Sequence, residues 1–244
     1  MDHQKNKYKE KIIAFIDILG FESLIKRLPE DQQLFQNLDY ALNRIKHIEK
    51  QTKNKELITS NLEVSVFSDC IAISAEKDKI RSLIWTSGWL QAELLYVGIL
   101  ARGGISIGPV IHENGILYGQ GIISAYRLES KTAVYPRIVV SDQIIKNYYK
   151  EISLYLEKDF DSMFYIDCFK FDAVAGGASE LAADGYDPRA VYFHEVRRHI
   201  EKSLSDITEE NHLSKYKWLI NRFNSAVNEF NQNSLDIIKT INIV

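Results

Sequence analysis

Two kinds of hydrophobic pattern open the chain. Residues 11–18, KIIAFIDI, are apolar at almost every position, which is typical of a central strand covered on both faces. Residues 21–28 and about 30–50 have helical spacing instead, with an apolar stripe that runs from Leu34 to Ile45. The chain is therefore expected to begin with a buried strand and to continue with two helices.

The next segment predicts a hairpin. LEVSVFSDCIAIS (62–74) alternates between apolar and polar residues, which predicts two strands with Ser68 and Asp69 at or beside the turn. A dense apolar face then predicts a long helix over 78–100. RGGISIGPV (102–110) predicts a strand bracketed by glycines.

Shorter elements follow. The segment ENGILYGQG (113–121) is rich in glycine and predicts a loop, whereas 122–130 predicts a helix. YPRIVVSD (135–142) predicts a strand with a cap at its end, and FYIDCFKFDAV (164–174) predicts another strand. These assignments alternate strands and helices up to about residue 150.

The last third of the chain is predicted to be mostly helical. A small, polar stretch at 175–188 predicts a loop, and amphipathic patterns at 189–203 and 212–231 predict helices. The whole order indicates an α+β fold of the ferredoxin-like kind, an antiparallel-rich sheet with helices over one face. A mostly helical C-terminal extension is added to it.

Composition narrows the class of protein. The 244 residues are 45% hydrophobic and 26% charged, an ordinary globular balance. The formal net charge of −3 gives no reason to expect binding to nucleic acid or to a membrane surface. No run of about 18 apolar residues predicts a transmembrane helix, and the charged N-terminus lacks the apolar centre of a secretory signal. Cys70 and Cys168 are expected to be buried thiols in a reducing cytoplasm.

Asp17 is the first candidate for chemistry, because it ends an otherwise apolar strand, and Asp69 lies in the predicted hairpin. In a ferredoxin-like sheet these elements are neighbours, so the two carboxylates are expected to meet at one edge. They would repel each other and raise their pKa values unless a cation lay between them, and such oxygen ligands favour Mg²⁺ or Mn²⁺. The simpler alternatives are a helix cap at Asp17 and a turn residue at Asp69.

The residues after Asp17 add a second feature. Gly20, at the strand-to-helix turn, lets the backbone approach a ligand closely. Phe21 begins the predicted helix, whose free N–H groups favour phosphate. Together these residues predict a cradle for a metal ion and a phosphate group.

Four motifs occur in an order that resembles the class III nucleotidyl cyclases. They are FIDILGF (15–21), FSDCIAIS (67–74), RGGISIGPV (102–110) and YGQGIISAYRLES (118–130). Each motif alone is weak, but four in order are fairly specific. The resemblance covers about residues 11–142 and implies a cyclase-like catalytic domain over 1–150, with residues 151–244 packed on that core or on a dimer interface.

The resemblance also implies roles for particular residues. Asp17, the carbonyl of Ile18 and Asp69 would hold two Mg²⁺ or Mn²⁺ ions, and Arg127 would stabilise the transition state. In such cyclases the aspartates and the arginine come from opposite subunits, so a homodimer with shared sites is implied. The amides of Gly20 and Phe21 would bind the triphosphate of a nucleoside triphosphate substrate.

Departures from the family pattern point to a subgroup. Ile123 stands where many class III cyclases have asparagine, and Ser65 and Ile116 stand at the two positions that read a purine base. The segments AYRLES, AVYPRIVVSD and KYKWLINRFN resemble the stand-alone pyrimidine cyclases of bacterial Pycsar anti-phage systems. This implies a uridylate or cytidylate cyclase whose cyclic product activates a separate effector.

Several other residues have competing interpretations. Arg102 is a candidate contact for a pyrimidine oxygen or a phosphate, and a surface ion pair is the alternative. Arg137 is interpreted as structural, and Tyr126 as a residue that packs or forms a hydrogen bond in a dimer seam. Three tryptophans are expected to pack in the core: Trp85, Trp89 and Trp218. Three aspartates are expected to be solvated or to act as caps: Asp161, Asp167 and Asp172.

Three alternative functions stay open. The first is a purine cyclase or a minimal oligonucleotide-forming polymerase on the same kind of sheet, although the GGDEF signature of diguanylate cyclases is absent. The second is a catalytically silent nucleotide-binding domain, which Ile123 keeps open. The third is a purely structural interaction protein, which would leave the aspartate at the strand end without a partner.

Overall fold

The structure is a computed structural model, and it describes residues 8–51, 62–171, 187–206 and 209–242. The described strands belong to one sheet. They are β1 (Lys9–Ile18), β2 (Glu63–Phe67), β3 (Cys70–Ala75), β4 (Ala101–Glu113), β5 (Ile116–Gly119), β6 (Ile138–Val140), β7 (Leu156–Lys158) and β8 (Phe164–Ile166). The described helices are α1 (Phe21–Arg27), α2 (Gln32–Gln51), α3 (Ile80–Tyr96), α4 (Gln120–Lys131), α5 (Asp142–Ile152), α6 (Pro188–Asp206) and α7 (Glu210–Asn231).

The strand order confirms the predicted fold class. The sheet runs β2-β3-β1-β4-β6-β8-β7, with β5 paired to β4. Only the β4–β6 pair is parallel among these neighbours. The first four strands and their connecting helices form the βαββαβ arrangement with β1 and β3 in the centre, which is the ferredoxin-like order.

The two faces of the sheet are covered differently. On one side, which we call the core face, every second residue of β1 from Ile12 to Ile18 packs into the main hydrophobic cluster, together with residues of α2, α3, α5, α6 and α7. On the other side, which we call the α4 face, Ile13 packs in a smaller cluster with Val110 and Ala125 of α4. Strand β1 is therefore buried on both faces, as its continuous apolar run predicts.

Glycines allow α4 to lie close to the sheet. A Cβ on Gly104 would stand 2.4 Å from the carbonyl oxygen of Ala125 and 2.5 Å from Cβ of Leu128. Any larger residue at position 104 would push α4 outward. The RGG motif therefore sets the distance between α4 and β4.

The predicted loop at 113–121 is wrong, because β5 occupies Ile116–Gly119 and pairs with the end of β4. Asn114 and Gly115 both have left-handed backbone angles, with φ values of 52° and 77°. Two such residues make the type I′ turn whose twist suits a tight hairpin. The Asn-Gly pair was the signal for this turn.

The predicted strand at 164–174 is too long. Strand β8 ends at Ile166, and the side chain of Asp167 then accepts a hydrogen bond from the N–H of Phe169 to cap a short 3₁₀ turn. Asp167 is buried and lies 2.5 Å from Nη2 of Arg222, so it caps the turn but is not solvated. Asp172 and most of the predicted loop at 175–188 lie outside the described residues.

Arg137 has the structural role that the sequence predicts. Its side chain is 1% exposed and forms ion pairs with Asp159 and Asp161. Trp218 donates a hydrogen bond of 2.8 Å from Nε1 to Asp159, and its ring stacks on Tyr135. This group joins α7 to the connections around β6 and β8.

The C-terminal region packs on the rest of the chain. Phe193 of α6 and Phe223 of α7 are buried in the main cluster, in agreement with the two predicted helices. Strands β7 and β8 continue the sheet beyond β6. Among the described residues, no helix has the length and apolar character needed to cross a bilayer.

Candidate active site

Backbone hydrogen bonds bring two distant parts of the chain together at the end of β1. The N–H of Ile18 donates to the carbonyl of Asp69 at 3.0 Å, and the N–H of Leu19 donates to the carbonyl of Leu100 at 2.8 Å. Ser68 takes a left-handed conformation, with φ of 53°, in the turn between β2 and β3. The hairpin turn is thereby fixed beside the end of β1.

The two predicted aspartates meet at this point. One carboxylate oxygen each from Asp17 and Asp69 and the sulfur of Cys70 all lie within 4.8 Å of one another. Asp17 and Cys70 face each other directly across the β1–β3 pair. The structure brings the two carboxylates together, and their role as metal ligands stays a prediction.

The electrostatics suit a divalent cation. Burial raises the pKa of Asp17, and the nearby charge of Asp69 adds to that rise, although Arg102 opposes it. Two carboxylates that repel each other in a half-buried place gain from a cation between them. Their hard oxygen atoms are the ligands that Mg²⁺ and Mn²⁺ prefer.

Cys70 was expected to be a buried thiol among apolar residues, and the structure corrects this. It is half-buried, and Sγ lies 3.8 Å from Oδ1 of Asp17 and 3.6 Å from Oδ1 of Asp69. Burial and the two carboxylates raise the pKa of its thiol to about 12. Cys70 is therefore a weak S–H donor to both carboxylates in the absence of a cation.

Arg102 forms ion pairs, which was one of its two predicted interpretations, although its partners and its half-buried position were not predicted. It pairs with Asp17 in the β1–β4 register, and its Nε lies 3.4 Å from Oδ2 of Asp17. The same Nε lies 2.7 Å from Oε1 of Glu129 on α4. Arg102 thus bridges the strand end and the helix above it.

Glu129 is a site residue that sequence reasoning missed. It is 2% exposed, and burial raises its pKa to about 6, with Asp17 and Asp69 adding to the rise and Arg102 opposing it. The available signal was the charge itself, on the helix face that packs on the sheet. Helical periodicity puts Glu129 on the same face as Ala125, four residues earlier, which is fully buried.

Arg127 lies apart from the aspartates of its own chain. It is exposed on α4, two residues before the inward-facing Glu129. Two residues correspond to a rotation of roughly 200° about a helix, so Arg127 points to the opposite side. Its neighbour Tyr126 is also exposed, and the ring of Tyr126 packs edge-on against Phe15 at 5.5 Å.

The predicted phosphate and base positions are at the surface. Gly20 has φ of 71° and precedes α1, which begins at Phe21. Gly20 also borders a cavity of about 360 Å³ whose lining includes Lys202 and Lys215. Ser65 is half-buried on β2, and Ile116 is exposed on β5.

No protein-family model and no curated protein matches this chain. Among solved structures, it is similar to the adenylyl cyclase CyaB from P. aeruginosa, at 18% identity over 65% of this chain and 92% of that one, with a TM-score of 0.45. It is also similar to a bacterial light-regulated adenylyl cyclase, at 21% identity over 65% of this chain and 90% of that one, with a TM-score of 0.45. A third similar structure is the monomeric guanylyl cyclase domain of the RhoGC fusion protein from the aquatic fungus Blastocladiella emersonii. The identity is 19% over 65% of this chain and 94% of that one, with a TM-score of 0.46.

The paired carboxylates generate a prediction about metal binding. Asp17→Asn and Asp69→Asn should each weaken Mn²⁺ binding on the order of tenfold or more, because each removes a charged oxygen ligand. Titration of the metal alone by calorimetry measures this. Asp39→Asn, on the exposed side of α2, is the matched control. Wild-type affinity in either site variant would contradict the assignment.

The buried Glu129 generates a prediction about stability and pH. Burial raises the pKa of Glu129 from its ordinary value of 4.5 to about 6 in the folded chain, so between these values only the folded state keeps the proton. The free energy of unfolding of the metal-free protein should therefore fall as the pH rises through this window, by about 2 kcal/mol from this group.

Urea titrations at several pH values measure that dependence. Glu129→Gln should flatten the fall between about pH 4.5 and 6, whereas Glu151→Gln, on the exposed side of α5, should leave it unchanged. An unaltered slope in Glu129→Gln would show that another group causes it.

Proposed function

We propose that this chain is a nucleotidyl cyclase that converts a pyrimidine nucleoside triphosphate, UTP or CTP, to its 3′,5′-cyclic monophosphate. The observation that carries the proposal is the meeting of Asp17 and Asp69 beside the Gly20 turn. Two carboxylates at this spacing suit cations that bind a triphosphate. The order of the four sequence motifs adds independent support.

The proposed reaction is intramolecular. The ribose 3′ oxygen attacks the α-phosphorus, an O3′–P bond forms, and the bond from that phosphorus to the bridging oxygen of pyrophosphate breaks. The 3′ proton passes to solvent. Nucleophile and electrophile belong to one molecule, so holding the nucleotide in the reactive conformation contributes much of the rate.

Asp17, the carbonyl of Ile18 and Asp69 would hold the cations, Mg²⁺ or Mn²⁺. When bound, these ions supply positive charge for the phosphates and lower the pKa of the 3′ hydroxyl. The amides of Gly20 and Phe21 would bind the β- and γ-phosphates. Lys215 of the adjoining cavity adds positive charge on the same side of that turn.

Arginine supplies the remaining charge. Arg127 would neutralise the negative charge that develops on the α-phosphate, since a fixed guanidinium suits such a transition state. Arg102 lies against Asp17, so it is placed to contact a phosphate or a base oxygen once a cation takes over the carboxylate.

The site requires a second copy of the chain. Arg127 points away from its own Asp17 and Asp69, so the arginine of one subunit would complete the carboxylate pair of the other. Exposed aromatic residues on the same side of the sheet offer an interface, since Phe67 is 83% exposed and Tyr126 is 52% exposed. A closed two-fold dimer satisfies both subunits at once.

The pyrimidine assignment has its own support. The two positions expected to read a purine base carry Ser65 and Ile116, so neither the Lys/Asp pair nor the Glu/Cys pair typical of purine cyclases is present. We further infer that the cyclic product is a second messenger for a separate effector in an anti-phage system. This inference rests only on the resemblance of the sequence segments to the pyrimidine cyclases of such systems.

Product analysis tests the proposal. Purified protein is incubated with ATP, GTP, CTP and UTP separately with Mn²⁺, and the products are identified by mass spectrometry. We expect one cyclic pyrimidine monophosphate, its loss in Asp69→Asn and a roughly thousandfold lower rate in Arg127→Ala. Arg81→Ala, an exposed arginine of α3, is the control. A cyclic purine product would contradict the pyrimidine assignment, and no product would contradict the cyclase.

Mixing variants tests the shared site. After subunit exchange, an equal mixture of Asp69→Asn and Arg127→Ala should recover about one quarter of wild-type activity, because half of the dimers then contain one intact site of two. The activity of each variant alone is the baseline. Failure to recover, with exchange verified by native mass spectrometry, would show that each chain uses its own arginine.

A further inference from the structure

Three polar side chains form a chain of hydrogen bonds on the α4 face. Nδ1 of His112 lies 2.8 Å from Oγ of Ser74, and Nε2 lies 2.8 Å from Oγ of Ser65. His112 is 3% exposed and Ser74 is fully buried, whereas Ser65 is half-buried. The imidazole therefore connects an interior hydroxyl to one at the surface.

This group lies where the base is expected. His112 is the residue before Glu113, and Glu113 pairs directly with Ile116 of β5. Because side chains alternate along a strand, Ile116 shares the face of Glu113, whereas His112 lies on the other face and contacts Ser65. Of the two positions predicted to read the base, Ser65 is therefore the one that His112 contacts.

The imidazole is neutral. Burial lowers the pKa of His112 to about 4, and the charge of Lys11 lowers it further. A neutral imidazole has one N–H donor and one acceptor nitrogen. Its two serine partners must therefore play opposite roles.

The buried serine decides which nitrogen carries the proton. Among the described residues, the Ser74 hydroxyl has no hydrogen-bond partner other than Nδ1 of His112. If Nδ1 carried the proton, the buried hydroxyl proton of Ser74 would have no acceptor, which costs free energy. Ser74 therefore donates to Nδ1, and the N–H at Nε2 donates to Ser65. The Ser65 hydroxyl is left with its own proton to offer outward.

We propose that His112 is a positioning residue that fixes Ser65 as a hydrogen-bond donor, and that the site consequently prefers UTP to CTP. The inference rests on the proposed function, which places Ser65 at the base. Uracil has a carbonyl oxygen at position 4 that accepts from Ser65. Cytosine has an amino group there, which could use only the remaining lone pair of Ser65 and would leave the Ser65 proton without its acceptor on the base.

Nucleotide preference tests this chain of bonds. The wild type should show a kcat/KM for UTP on the order of tenfold or more above that for CTP. Ser74→Ala, which removes the group that orients the imidazole, should lower this ratio on the order of tenfold while leaving Ser65 in place. Ser87→Ala, a buried serine of α3 on the core side, is the matched control. An unchanged ratio in Ser74→Ala, or a preference for CTP, would overturn the inference and leave the cyclase intact.

A spectroscopic readout is independent of turnover. Nitrogen-15 shifts of His112 in the nucleotide-free protein, assigned with His112→Gln, should show a protonated Nε2 and a bare Nδ1 from pH 5 to 8. In Ser74→Ala the proton should redistribute toward Nδ1. A protonated Nδ1 in the wild type would overturn the inference.

Nucleotide binding distinguishes a failure of the proposed cyclase activity from a failure of the proposed role of His112. If no triphosphate is cyclised, the proposed function fails, and calorimetry with Mn²⁺ compares UTP with CTP. Tighter UTP binding that weakens in Ser74→Ala would support the role of His112. Equal binding, or binding of neither nucleotide, would overturn it.

Discussion

The candidate site depends on the register between β1 and β3. Asp17 pairs with Cys70, and the hydrogen bond from Ile18 to Asp69 closes the pairing at the turn. Side chains alternate along a strand, so a slip of one residue would put Asp17 into the core and Ile18 on the α4 face. Ile18 is buried, and so is every second residue before it back to Ile12. Burial of these apolar side chains is therefore what holds the two carboxylates together.

This fixed geometry leaves an excess of negative charge. Asp17, Asp69 and Glu129 carry three carboxylates, and Arg102 is the cation that contacts two of them. The raised pKa values of Asp17 and Glu129 indicate that one guanidinium does not compensate for burial and mutual repulsion. A cluster of this kind is costly for the folded chain alone, and bound cations offset the cost. The same constraint that creates the pair is therefore the physical basis of the metal binding that we propose.

The sequence predicted the elements more successfully than their contacts. The strand ending at Asp17, the hairpin at Ser68 and the ferredoxin-like order follow from periodicity and turn residues. The approach of Asp17 to Asp69 followed from that order. Strand β5 was missed because Asn114 and Gly115 were interpreted as part of a loop, although this dipeptide is a strong hairpin signal.

Contacts that depend on strand register could not be predicted from the sequence. Nothing local indicates that Cys70 lies opposite Asp17, or that Arg102 reaches Glu129 across the sheet and helix. His112 is similar, because its two serine partners belong to strands that lie far from it in the chain. Each of these contacts depends on strand register or on packing between elements, which are properties of the assembled fold.

The two faces of the sheet differ in role: the core face stabilises the fold, and the α4 face carries the candidate site residues. The core face carries the large apolar cluster, whereas the α4 face carries Asp17, Ser74 and His112 among others. Ser106, on the same face, donates a hydrogen bond of 2.8 Å to the carbonyl of Gly121 and fixes the start of α4. Polar groups in a half-buried face are tolerated when each has a partner, and those partners restrict their orientation. The uncovered part of this face, around the exposed Phe67, is where we propose that a second copy of the chain supplies the other wall of the site.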